Sequence, residues 1–134
     1  MLCDLEMDSP LREPVVTYVL INLWDALSLA DRSGMRVTDQ GPLIAGDDLT
    51  ELINFARNAA CHISSGNRRA PGIEVGSAWV GVGMNITLEG HAMINPTSDD
   101  VALGYPERMI YMKANIGLAI DRLKAVVATL ELQR

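Results

Sequence analysis

Apolar side chains recur every three or four residues along three stretches of this chain, and one stretch between them alternates instead. In the first, Val16, Val19, Leu20, Leu23, Ala26, Leu27 and Ala30 fall on one side of a helix running from about Pro14 to Arg32. Pro14 suits the first helical position, and Gly34 follows the end. The opposite side carries Tyr18, Ile21 and Leu29, so this helix is expected to be buried on two sides, the second against another subunit. Residues 34–46 are turn-rich and read as irregular. Asp47 or Asp48 then offers an N-cap, with Glu51 three residues after Asp48, for a second helix reaching about Ser64 and stopped by Ser65, Gly66 and Asn67.

From Ile73 to Asn95 the β-formers Val75, Trp79, Val80, Val82, Ile86 and Thr87 are interleaved with glycines, which predicts a short hairpin or three-stranded meander turning at Glu89-Gly90. After a loop through Pro96, Ser98, Asp99 and Asp100, Pro106 is read as the start of the last helix. Its core stripe would be Met109, Met112, Ile116, Ile120, Leu123, Val127 and Leu130. The expected fold is therefore mainly α: a small bundle of three long helices with a short antiparallel β-hairpin or meander inserted at 73–95, before the last helix. The 134 residues suit one domain, with 1–10 as a loosely ordered leader.

Composition sharpens this picture. Aromatic residues are only 4% of the chain against 49% hydrophobic overall, so the core must be aliphatic. The net charge of −6 repels phosphate backbones on average, and any nucleic-acid site has to be a local positive island. The acidic start MLCDLEMDSP lacks the basic and apolar regions of a secretory signal, and no apolar run is long enough to span a bilayer. Two cysteines, Cys3 and Cys61, read as free thiols, and a cytoplasmic protein is expected.

The second helix carries the candidate chemistry. At about 100° per residue, Leu49, Leu52, Ile53, Ala56, Ala59, Ala60 and Ile63 share one side. Thr50, Asn54, Arg57, Asn58, Cys61 and His62 share the other. From Leu52 to Ile73 there is no acidic residue, whereas Arg57, Arg68 and Arg69 are present. Anion attraction is the natural use of such an island.

The spacing Arg57-Asn58-Ala59-Ala60-Cys61-His62 resembles the R-N-x-x-x-H signature of the HEPN superfamily. The resemblance implies a helical domain whose subunits pair to line one cleft with both motifs, and a metal-independent endoribonuclease of toxin or defence type. Arg57, Asn58 and His62 would be its catalytic residues, with Ser65, Asn67, Arg68 and Arg69 extending the RNA- or phosphate-binding surface. No metal or cofactor is implied; RNA or a nucleotide, a second copy of the chain, and an antitoxin or other protein are the expected partners. The chemistry is sound on its own terms. An imidazole titrating near neutrality exchanges a proton with a ribose hydroxyl or the leaving oxygen. A permanently charged planar guanidinium matches the equatorial oxygens of the transition state. Arg57 and His62 lie about 140° apart around a helix, so they would flank a site and not pair directly. The alternative is a non-catalytic module of the same kind that binds a nucleotide, an RNA or a protein.

Other features read as structural. Cys61 is a packing residue, His91 a strand residue beside a turn, and Asp99 and Asp100 loop or capping groups before a helix. Gly81-Val82-Gly83 lacks the third glycine and following helix of a dinucleotide fingerprint.

Overall fold

The computed structural model describes residues 11–40, 46–61, 69–70, 73–74, 78–88, 90–105 and 108–134. Two helices come first, α1 (Arg12–Arg32) and α2 (Leu49–Cys61). Among the described residues seven short strands follow: β1 (Arg69–Ala70), β2 (Ile73–Glu74), β3 (Ala78–Val80), β4 (Asn85–Leu88), β5 (His91–Ile94), β6 (Ala102–Tyr105) and β7 (Arg108–Tyr111). A π-helical segment, Met112–Gly117, then continues directly into α3 (Leu118–Leu132). None of the described helices is long and apolar enough to cross a membrane. The expected leader at 1–10 lies outside the described residues.

The architecture is α+β, which corrects the expected three-helix bundle with a β insertion. Among the described residues all the strand pairs are antiparallel: a three-stranded sheet in the order β3-β6-β7, the hairpin β4-β5, and the two-residue ladder β1-β2. The error lies at 102–111. Met109 and Met112 fit the spacing of the helix that follows, and Pro106 resembles a helix start. Pro106 lies outside the described residues and Met112 opens the π-helical segment, while Ala102–Tyr105 and Arg108–Tyr111 form β6 and β7, in which Leu103 pairs with Ile110 and, across to β3, with Trp79. Pairing with a strand more than twenty residues away decides the conformation of this segment over its local periodicity. The meander is likewise replaced by a split: β4 and β5 form the expected hairpin, while β3 pairs with β6. At the hairpin's turn Gly90 has φ +84°, a left-handed conformation that glycine adopts without strain.

The core lies between the helices and the three-stranded sheet. Val16, Leu20 and Leu27 of α1 meet Leu49, Ile53 and Ala56 of α2, and Tyr105, Ile110 and Ile116 close the cluster from the sheet and the last helix. α2 starts as expected: Asp48 Oδ1 accepts the Glu51 amide at 2.9 Å, a side-chain N-cap. On β6, Gly104 leaves room for Met93, whose sulfur would stand 2.5 Å from a Cβ at that position, so the β4-β5 hairpin can lie close to the sheet.

One buried polar knot joins these parts. Asn95, fully buried, donates through Nδ2 to the carbonyls of Val80 (3.0 Å) and Asp100 (2.8 Å). Its Oδ1 accepts from the amide (3.0 Å) and hydroxyl (2.6 Å) of Thr97. Asp100 in turn accepts the amides of Lys113 and Ala114, both at 2.9 Å, capping the first turn of the last helix. Asn95→Ala would leave several buried groups unpaired and should cost about 2–4 kcal/mol. Urea denaturation should show a lowered midpoint at unchanged slope; a midpoint equal to wild type would mean the knot does not hold the fold.

Candidate functional site

α2 has one strongly buried side and one half-buried side. Leu49, Leu52, Ile53, Ala56 and Ala59 are buried. Asn54, Arg57, Asn58 and Cys61 are all half-buried, so this polar side is not an open solvated surface. Thr50, expected on that side, is buried and donates its hydroxyl to the Val37 carbonyl at 2.8 Å, so it belongs to the packing between α2 and the preceding loop.

On this side three side chains form a chain of hydrogen bonds along the helix. Arg57 Nη1 donates to Asn58 Oδ1 at 2.9 Å, and Asn58 Nδ2 donates to Asn54 Oδ1, one turn earlier, at 3.2 Å. The second bond fixes the amide of Asn58 so that its oxygen, not its nitrogen, faces the guanidinium. Arg57 Nε is buried and meets no hydrogen-bond acceptor among the described residues.

The other buttressed arginines are arranged differently. Arg36 is held by Asp48 at 2.8 Å and Asp31 at 2.7 Å, with Glu51 at 3.7 Å. Its pKa is raised above the ordinary value chiefly by the hydrogen bond to Asp48, against a smaller opposing effect of burial. Arg108 pairs with Asp47 and lies 4.6 Å from the centre of the Phe55 ring, which itself meets Tyr105 edge-on at 5.7 Å. Arg122 pairs with Asp39 at 2.9 Å. Each of these three cations is neutralised locally. Arg57 is held by amides, which orient a guanidinium without cancelling its charge.

Of the residues singled out in the sequence, Arg57 and Asn58 are therefore in direct contact. His62, Ser65, Asn67 and Arg68 lie outside the described residues, and Arg69 belongs to the two-residue strand β1, paired with Glu74 in register. Asn54 was placed on the polar side but not among the site residues. Its signal was the four-residue interval to Asn58, which sets two amides one above the other on a helix. Among the described residues no three His, Cys, Asp or Glu side chains cluster as a metal site. Comparison with known proteins returns no matching family, no matching curated protein and no matching solved structure.

If Asn54 positions the guanidinium through Asn58, Asn54→Ala should leave stability within about 1 kcal/mol of wild type, since alanine is the better helix former. The Arg57 Nε–H resonance should nevertheless broaden in nitrogen-15 NMR spectra as the side chain loses its fixed orientation. An unchanged resonance would show that Asn54 does not orient Arg57.

Proposed function

We propose that the chain is a metal-independent endoribonuclease whose phosphate anchor is Arg57. The observation that carries this reading is the state of that guanidinium: half-buried, oriented by two amides, and with no carboxylate neutralising it among the described residues. Holding an unneutralised cation half-buried disfavours folding unless an anion relieves it. A phosphodiester oxygen supplies both the charge and an acceptor for a planar donor fork. The basic run of Arg68 and Arg69 follows in the sequence and extends the same polarity in a chain that is otherwise acidic.

His62, one residue beyond the last described residue of α2, is the acid–base group of this reading. Its imidazole removes the proton of a ribose 2′-hydroxyl as that oxygen attacks the adjacent phosphorus. The bond from phosphorus to the 5′-oxygen breaks, and the imidazolium returns the proton to that leaving oxygen. The products are a 2′,3′-cyclic phosphate and a free 5′-hydroxyl. Arg57 meets the charge gathering on the non-bridging oxygens, where a fixed cation acts on the transition state more than on the substrate. Asn58 keeps the guanidinium aimed.

Cleavage of RNA should proceed in EDTA and yield 2′,3′-cyclic ends. His62→Ala and Arg57→Ala should each lower the rate about a hundred-fold or more with helical content intact. Binding that survives without any cleavage in the wild type would replace the nuclease by a non-catalytic RNA- or nucleotide-binding module. Activity that requires added metal, or that persists in both variants, would remove the mechanism altogether.

A further inference from the structure

The last helix leaves an apolar stripe uncovered. That stripe starts inside the core at Ile116 and continues through Ile120, Leu123, Val127 and Leu130. The intervals of four, three, four and three are the heptad spacing of a helix that lies along another helix. Yet Ile120 is 38% exposed, Val127 53% and Leu130 39%, and Leu123 is only partly buried. Among the residues of α3 itself, Ala119 alone is buried. The outer side of α1 also shows apolar groups, Val15, Tyr18 and Leu29, but Asn22 and Asp25 interrupt it. The stripe of α3 is unbroken.

We propose that a second copy of this chain covers the stripe, its α3 lying antiparallel to the first about a two-fold axis beside Val127 and Ala128. The flanking charges select this occupant and this direction. Lys124 and Glu131 stand one heptad apart on the same edge of the stripe and line its shallow groove with Ile120, Leu123, Val127 and Ala128. In the antiparallel arrangement Lys124 faces Glu131 of the partner subunit, and the symmetry makes that pair twice. A parallel arrangement would set Lys124 against Ala119 and Glu131 against Val126, leaving both charges unmatched. Among the described residues of one copy, Lys124 has only a long contact to Asp121, at 3.9 Å. Self-association through α3 does not depend on what α2 binds.

Sedimentation equilibrium of the full chain over a micromolar concentration series tests this directly. The wild type should be a dimer. Val127 is exposed in the single chain, so Val127→Glu should keep its helical circular dichroism while weakening dimerisation about thirty-fold or more. Lys124→Glu and Glu131→Lys should each weaken the dimer by bringing like charges together, and the double variant should restore it. A wild type that remains monomeric, a dimer indifferent to Val127→Glu, or a double variant no tighter than the singles would each overturn the proposal. The last outcome would mean that the helices meet in another register or that a different protein covers the stripe.

Discussion

The fold turns on one buried amide. Asn95 sits where three segments that are distant in sequence meet: the end of β3 through the Val80 carbonyl, the 97–100 loop, and the start of the last helix through Asp100. A side chain with two donors and an acceptor is the smallest group able to satisfy all of these at once, and no apolar residue could replace it without stranding backbone groups. The β4-β5 hairpin leads into this knot and the three-stranded sheet leads out of it. With the loop so tied, Asp100 meets the first free amides of the last helix, and that helix is aimed at the core face of α1 and α2.

Much of this was legible in the sequence because it depends on local rules. The two-faced pattern of α2, its cap at Asp48, the end of α1, the β4-β5 hairpin and its turn at Gly90 are all set by residues close together in the chain. The strands β6 and β7 were not legible. Their four residues each are too short to show alternation, and the helical spacing from Met109 to Ile116 extends a true helix backwards by chance. Only pairing with Trp79 and its neighbours, which no local pattern encodes, makes them a sheet. The same distinction holds for the site. Residue types and intervals in the sequence singled out Arg57 and Asn58, but not that Asn54 bonds Asn58, nor that Thr50 leaves the polar side to bond Val37.

Charge is distributed in a way that isolates Arg57. The acidic side chains Asp31, Asp39, Asp47, Asp48 and Glu51 gather between the end of α1 and the start of α2, where they pair with Arg36, Arg108 and Arg122. These pairs are partly exposed, and exposed ion pairs add little to stability. Their larger effect is spatial: these carboxylates are engaged at the amino-terminal end of α2, where the helix dipole also favours them, and not beside Arg57 near its other end. Among the described residues Arg57 thereby keeps its charge without a carboxylate partner.

The π-helical segment at the start of the last helix has a consequence for how this protein can change. A π turn holds about one residue more than an α turn for the same full rotation, so each of its residues turns the chain by less than the 100° of an α-helix. Met112–Gly117 therefore sets the phase of everything beyond it. Tightening this turn to α with all its residues kept would swing every later side chain to a new bearing, whereas losing one residue as it tightens would leave them where they are. Ile116 and Ala119, seated in the core, and the outward residues after them keep their present directions only in the second case. The extra residue of this turn is thus a dial on the surface the helix shows to the outside, acting on many residues at once where point substitution acts on one.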